Sequence, residues 1–278
     1  MTSFADFGYA GKRALVVGGA TGMGAGVVEI VKQAGGEVIV MDRAEVTRDD
    51  VTFIQCDLSD RDSIESATDQ VTGSIDAHFA CAGVADGTPG IERINFIGHR
   101  HQIDRLIAKG QIARGAAIGF ISSFAGAGWE ANLPLVKEYL AITDFDDATK
   151  WAQENGKADY MFSKLAINAY VAGQAFELLK QGIRINAILP GPTDTPLARA
   201  NADMWLGFAS DYREQTGIEP STPEEQAAAL VFLCSDAATA ITGFTLVTDA
   251  GYSSSGITES FPPAAPVVEF LRGPLYGN

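Results

Sequence analysis

The apolar segment Ala14-Leu15-Val16-Val17 runs directly into Gly18-Gly19-Ala20-Thr21-Gly22-Met23-Gly24. Val27, Val28, Ile30 and Val31 then follow at helical spacing until Gly35-Gly36 stops the helix. A second apolar strand, Val38 to Met41, ends on Asp42. Strand, glycine turn, helix and strand make a βαβ unit, which requires two parallel strands and a covering helix. The glycines fall where the chain turns tightly, where backbone must approach a pyrophosphate, and where helix meets strand. Gly18, Ala20, Thr21, Gly22, Met23 and Gly24 are therefore candidate contacts to a dinucleotide. A carboxylate closing the second strand accepts hydrogen bonds from ribose hydroxyls and repels a 2′-phosphate, so Asp42 favours NAD over NADP. Arg43 is the opposing signal, because a guanidinium there can hold a phosphate; it reads equally as an exposed charge at a strand end.

Further apolar runs of strand length, Ile75 to Ala80, Ala117 to Ser122, Arg184 to Leu189 and Thr245 to Thr248, alternate with longer amphipathic stretches. Continuous apolar strands between helices predict an α/β fold, a doubly wound parallel sheet of Rossmann type. No repeat or low-complexity linker divides residues 1–278, so one dinucleotide-binding and catalytic domain is expected. The stretch from Ser253 to Asn278, rich in Ser, Pro and aromatics, reads as an appended C-terminal arm. With 20 Lys+Arg against 35 Asp+Glu the net charge is -15, which repels phosphate backbones and anionic lipids. Nucleic acid and membrane partners are not expected. No run approaches the roughly 18 apolar residues of a spanning helix, and the start lacks a signal-peptide core, so a cytoplasmic protein is expected. Cys56, Cys81 and Cys234 are too scattered for a disulfide framework or a zinc site. His78 reads as a structural strand histidine, and His99 and His101 would point to different helix faces, so no metal is expected.

Tyr160 and Lys164 are four apart at the start of a long helical pattern, which puts phenol and ammonium on one face. The pair follows a strand ending Ile121-Ser122-Ser123 and precedes Pro190-Gly191-Pro192-Thr193-Asp194-Thr195. With Gly18, Gly22 and Gly24, Cys56-Asp57-Leu58, Cys81-Ala82-Gly83 and Asn95, this series resembles the short-chain dehydrogenase/reductase family over nearly the whole chain. The resemblance implies that Tyr160 exchanges a proton with the alcohol or carbonyl oxygen and that Lys164 favours its phenolate and binds the nicotinamide ribose. It further implies that Ser123 holds the substrate oxygen and that Asn95 orders a relay water. Asp57 and Leu58 would meet the adenine, Cys81, Ala82 and Gly83 would line the cofactor site, and Pro190, Gly191, Thr193 and Thr195 would receive the carboxamide. Read from the residues alone, Asn95 is also a turn former and Asp57 a helix cap. Three positions depart from the family pattern: Val17 where Thr is usual, Cys81 for Asn, and Ala250 in Asp249-Ala250-Gly251.

The connection between Ser123 and Tyr160 is unusually long. Leu133, Val136 and Leu140 and then the segment 146–155 predict two short helices within an insertion spanning about 124–159. This insertion resembles the branch of bacterial 3α-hydroxysteroid dehydrogenase/carbonyl reductase and coniferyl-alcohol dehydrogenase, and implies a homodimer rather than a tetramer. Leu197, Met204, Trp205, Leu206 and Phe208 fall in a lid at about 196–217, which implies an apolar, bulky substrate. Trp129 and Tyr252 could be pocket walls or core, and the C-terminal arm could cover the pocket or brace a neighbouring subunit. The expected activity is NAD(H)-dependent interconversion of a hydrophobic cyclic, steroidal or aromatic alcohol and its carbonyl compound. The alternatives are an NAD-binding sensor or scaffold without turnover, and an epimerase-like relative.

Overall fold

The computed structural model describes residues 4–273. Its strands are β1 (Arg13–Val17), β2 (Glu37–Asp42), β3 (Thr52–Gln55), β4 (Ile75–Ala80), β5 (Ile112–Ile121), β6 (Arg184–Pro190) and β7 (Thr245–Thr248). They form one parallel sheet in the order β3-β2-β1-β4-β5-β6-β7, so the winding reverses between β1 and β4. That reversal opens a crevice at the carboxyl ends of the strands, the place where such sheets bind ligands. The helices are α1 (Gly22–Gln33), α2 (Arg61–Gln70), α3 (Gly98–Ala108), α4 (Leu133–Leu140), α5 (Phe145–Glu154) and α6 (Tyr160–Lys180). They continue with α7 (Pro196–Arg199), α8 (Ala202–Trp205), α9 (Ser210–Thr216), α10 (Pro223–Cys234), α11 (Tyr252–Ile257) and α12 (Ala265–Arg272).

Strand alternation divides the core between two layers. Ala14, Val16, Val38 and Val40 pack with Val27, Val28 and Val31 of α1 and Ala227 and Leu230 of α10. Leu15, Val17, Ile39 and Met41 face the other way, toward Ile64 of α2, Ile103 and Leu106 of α3 and Ala166 and Ile167 of α6. Among the described residues no helix is long and apolar enough to cross a membrane.

Strand β5 starts five residues earlier than its apolar run, at Ile112 rather than Ala117. The exposed Ala113-Arg114-Gly115 carries no apolar signal, and the β4 pairing shifts register in this stretch. The insertion forms the two expected helices. Tyr139 of α4 is buried against Phe96, Trp151 and Phe162, with ring centroids 5.9, 5.1 and 5.3 Å away. The Arg100 guanidinium of α3 donates to the carbonyl of Ile142 at 2.7 Å. The insertion thus lies over α3 and the first half of α6.

The C-terminal arm is folded onto its own chain. Ala264 and Val268 are fully buried, and the Leu271 carbonyl packs on Gly128 so closely that a Cβ there would collide with it. Residues 274–278 of the expected arm lie outside the described residues.

Candidate active site

The glycine turn joins β1 to α1 at the crevice. A Cβ on Gly24 would collide with the Gly18 carbonyl, so the first turn of α1 folds against the strand end only because that residue is glycine. Thr21 at the N-cap is extended and its side chain makes no capping bond, so the first-turn N–H donors of α1 remain for an anion. A cleft of about 290 Å³ opens here, with Gly18, Thr21, Gly22, Met23 and Gly24 on one side and Cys81, Ala82, Gly83 and Val84 on the other. Asp42, Arg43, Asp57 and Leu58 close its far end.

Asp42 accepts from the Ala20 N–H at 3.0 Å through Oδ2 and from the Ala44 N–H at 2.9 Å through Oδ1. Each oxygen keeps a lone pair, so the carboxylate ties the glycine turn to β2 and can still accept hydroxyl donors. Asp57 accepts from the backbone N–H and hydroxyl of Ser59 at 2.8 and 2.7 Å. Partial burial pushes its carboxyl up, but the Ser59 bonds and the Arg43 charge outweigh this and hold it below the usual range. This donor set, with an uncapped helix start and a glycine cradle, fits a dinucleotide.

Cys81 and Val17, two of the departures from the family pattern, are joined through backbone instead. The N–H groups of Cys81 and Ala82 both donate to the Val17 carbonyl, at 2.8 and 2.9 Å. Ala250 has φ 55°, in the left-handed region, so alanine in place of glycine carries strain of roughly 1 kcal/mol.

A second cavity of about 550 Å³ adjoins the cleft, sharing Met23, Cys81, Gly83, Thr195 and Leu197 with it. Ser123, Tyr160 and Lys164 line this pocket. Tyr160 is the first residue of α6, so its backbone N–H has no partner within the helix. Asp86 supplies one, accepting at 2.6 Å, while Asp159 caps the helix by accepting from the Phe162 N–H at 2.8 Å. The Ser163 hydroxyl donates to the Tyr160 carbonyl at 2.6 Å and accepts from Asn95 Nδ2 at 3.1 Å. Burial raises the Tyr160 phenol; a hydrogen bond with Ser123 lowers it, and the Asp86 charge adds to the rise. Lys164 Nζ lies 5.3 Å from the Tyr160 ring centroid and donates to the Ile121 carbonyl at 3.1 Å. Burial lowers the Lys164 ammonium to about 8. Such a group, near its titration point, can pass a proton onward at neutral pH.

Asn95 sits in a single π-helical turn, Arg93–Ile97, that runs into α3. Its side chain accepts from the Val84 N–H at 2.8 Å and donates to the Val84 carbonyl at 3.1 Å, so it braces the turn after Gly83. A Cβ on Gly83 would lie 3.6 Å from Asn95 Oδ1 and 3.8 Å from Lys164 Nζ, so the two flank the same backbone position. Thr193 donates to the Gly191 carbonyl at 3.0 Å, and the Thr195 hydroxyl accepts from the Ala198 N–H at 3.0 Å, capping α7. The Thr195 hydroxyl proton stays available for a ligand.

The apolar walls of the pocket come from Leu197, Met204, Trp205 and Phe208 of the lid and from Val267, Phe270 and Leu271 of α12. Trp205 lies against Tyr160, ring centroids 5.0 Å apart. Leu206, Trp129 and Tyr252 do not line the pocket. Trp129 packs on the core, and Tyr252 is buried in an aromatic cluster with Phe124, Phe208, Tyr212 and Phe261. Sequence reasoning missed Asp86 and Ser163. It left the C-terminal arm open between the pocket and a neighbouring subunit, and α12 forms a wall of this chain's own pocket. Among the described residues no cluster of His, Cys, Asp and Glu could hold a metal ion. His78 pairs with Gln102, His99 with the Ala82 carbonyl and His101 with Glu65.

Comparison with known proteins gives relatives of the whole fold. The profile described as enoyl-(acyl carrier protein) reductase covers residues 18–253. Coniferyl-alcohol dehydrogenase of Pseudomonas sp. (strain HR199 / DSM 7063) is 29% identical, over 88% of this chain and 97% of that protein. Cis-4-hydroxycyclohexanecarboxylate dehydrogenase of Sinomonas cyclohexanicum is 28% identical, over 88% and 98%. The structure of 3-alpha-hydroxysteroid dehydrogenase from Pseudomonas sp. B-0831, complexed with NADH, superimposes with a TM-score of 0.71 at 26% identity, over 90% of this chain and 99% of that one. The chain belongs to the short-chain dehydrogenase/reductase family of oxidoreductases.

Proposed function

We propose that this chain is a cytoplasmic NAD(H)-dependent oxidoreductase that interconverts a hydrophobic cyclic, steroidal or aromatic alcohol and its carbonyl compound. The observation that carries the reading is the convergence of Ser123, Tyr160 and Lys164 in a largely apolar pocket that shares a wall with a polar, glycine-lined cleft. The first-turn donors of α1 would hold the pyrophosphate, Asp42 the adenosine ribose, Asp57 and Leu58 the adenine. Thr195 and the backbone of Pro190 and Gly191 would hold the carboxamide. When bound, the nicotinamide supplies the hydride chemistry.

The chain's own residues manage the proton. In oxidation Tyr160 takes it from the substrate hydroxyl, and in reduction Tyr160 returns it. Because burial raises the phenol, Ser123 works against that rise by hydrogen bonding, and the charge of Lys164, whose Nζ lies 5.3 Å from the ring centroid, would add to the effect. Ser123 holds the substrate oxygen beside Tyr160. Lys164 binds the nicotinamide ribose, and Asn95 orders the water through which the proton passes to solvent. Apolar walls exclude competing water and select ring-shaped, weakly polar substrates.

Support for NAD comes from the Asp42 carboxylate and from the related steroid dehydrogenase, which is complexed with NADH. Support for the substrate class comes from the pocket walls and from relatives named for ring-bearing alcohols. We also propose one catalytic unit per chain and a homodimer, because α4 and α5 cover the α3 and α6 surface on which a tetramer would be built. Light scattering of the purified chain tests the assembly, with a dimer expected.

The decisive experiment measures NADH formation with a panel of apolar cyclic, steroidal and aromatic alcohols, alongside NADP and Tyr160→Phe. Turnover with NAD that is absent from the variant is expected. NADH binding without turnover of any alcohol would overturn the reading in favour of a sensor or an epimerase-like task.

A further inference from the structure

Only two charged side chains line the 550 Å³ pocket among the described residues, Lys164 and Asp86. Lys164 is buried, one of its N–H donors goes to the Ile121 carbonyl, and the proposed function gives its charge to Tyr160 and the nicotinamide ribose. Asp86 is exposed at the mouth, and its Oδ1 accepts from the Tyr160 N–H at 2.6 Å, so its place is fixed by the start of α6. Among the described residues no arginine or second lysine faces the cavity to neutralise a substrate carboxylate. The net charge of -15 works in the same direction, since an anion approaches against the field of the whole chain.

We infer that Asp86 is a specificity-determining residue that restricts the pocket to uncharged alcohols and carbonyl compounds, excluding those that carry a carboxylate. The inference deepens the proposed alcohol dehydrogenase reading and rests on it. It also separates this chain from the relative named for cis-4-hydroxycyclohexanecarboxylate. The same carboxylate positions Tyr160, because it accepts from the N–H of a first-turn residue that has no acceptor within the helix.

The test uses a matched pair, cis-4-hydroxycyclohexanecarboxylate and its methyl ester, with full-length protein and saturating NAD. The ester is expected to exceed the acid in kcat/KM by about tenfold or more. Asp86→Asn keeps an acceptor for the Tyr160 N–H and removes the charge; it should shrink that ratio by about threefold to tenfold, mainly through the KM of the acid. Asp86→Ala should also shrink it but lower kcat for both compounds, because Tyr160 loses its tether.

A second readout separates positioning by charge from simple scaffolding. The groups facing Tyr160 are Ser123 from the turn after β5, Lys164 from its own helix, Trp205 from the lid and Asp86, of which only Lys164 and Asp86 carry charge. Removing the Asp86 anion should move the pH limb of alcohol oxidation to lower pH; an unmoved limb in Asp86→Asn would overturn the charge argument.

Calorimetric titration of the NADH-saturated protein with cyclohexanecarboxylate and its methyl ester reads selectivity without turnover. Preference for the ester, reduced in Asp86→Asn, supports the inference even where no alcohol of the panel reacts. Equal binding of the two, tighter binding of the acid, or binding of neither overturns it. Failure of the alcohol panel alone touches only the proposed function.

Discussion

The two halves of the crevice are built differently. The cofactor half is made of backbone at the ends of adjacent strands, held by short bonds such as Ala20 to Asp42 and Cys81 to Val17. The substrate half is made of side chains from β5, α6, the lid and α12, which are far apart in the chain and meet only after folding. The difference teaches where each property is stored: cofactor recognition in local geometry, substrate choice in replaceable surface. Each half should therefore be open to damage without the other, and the residues proposed as catalytic, at the seam, should report on both.

Tyr160→Phe offers the largest expected effect. Losing the proton-transfer group should lower turnover by about 10²- to 10⁴-fold, while NADH affinity stays within about twofold, because the phenol lines the pocket and not the 290 Å³ cleft. Pre-steady-state hydride transfer and fluorescence titration of NADH measure the two. Substantial retained turnover would remove Tyr160 from the chemistry and break the division at its seam.

Acid should strike the cofactor half first. Burial lowers His78 to about 4 and His99 to about 3, and His99 holds the Ala82 carbonyl at 3.0 Å under the cleft wall. Both are neutral in the folded chain across the interval where the unfolded chain binds protons. Stability is thus complete above pH 6.5 and falls as pH drops from 6.5 toward 4 and 3. The loss over the full interval is on the order of 3 kcal/mol for His78 and on the order of 5 kcal/mol for His99. Urea midpoints at pH 7, 5.5 and 4.5 measure the fall, and His78→Asn should flatten it by about half above pH 4. A profile flat down to pH 4 would show that neither histidine is held neutral.

Asp42→Ala is smaller and confined to one property. Charged hydrogen bonds of this kind contribute about 1.5–3 kcal/mol. The NAD over NADP preference should therefore drop by about tenfold to a hundredfold, and the alcohol ranking should stay as it is. A preference that does not move would transfer cofactor choice to Arg43.

How far the sequence reveals each half follows from the same contrast. Gly18 to Gly24, Asp42 and the strand runs of β1, β2 and β4 to β7 were readable because their requirements are local: a turn that tolerates no Cβ, a carboxylate at a strand end, apolar residues between helices; β3, Thr52–Gln55, buries only Ile54 and gave no such run. The start of β5 was not, since Ala113-Arg114-Gly115 is exposed and lies in the register shift between Ile112, which pairs with Ile75, and Ala117, which pairs with Ala77. The two helices of the insertion were legible from spacing, whereas the burial of Tyr139 between Phe96 and Trp151 depends on tertiary contact. Asp86 left no signal, because an acid in a loop becomes a tether only when α6 begins beside it. The fate of the C-terminal arm was open between pocket and neighbouring subunit, and α12 places Val267, Phe270 and Leu271 in the pocket of its own chain.

That helix also gives the finest test of the contrast, since it has one face in each role. Phe270 is 76% exposed at the pocket rim, whereas Val268 is fully buried against the core. Phe270→Ala removes apolar wall but little buried contact, so unfolding stability should change by no more than about 0.5 kcal/mol. KM for a bulky alcohol should rise by about threefold to tenfold, kcat and NADH affinity staying close to the parent values. Val268→Ala should do the reverse, costing roughly 1–2 kcal/mol of stability with a smaller change in KM. If both substitutions acted on stability alone, α12 would be a brace and the pocket would close over the lid by itself; if Phe270→Ala altered NADH affinity, the substrate half would not be separable from the cofactor half.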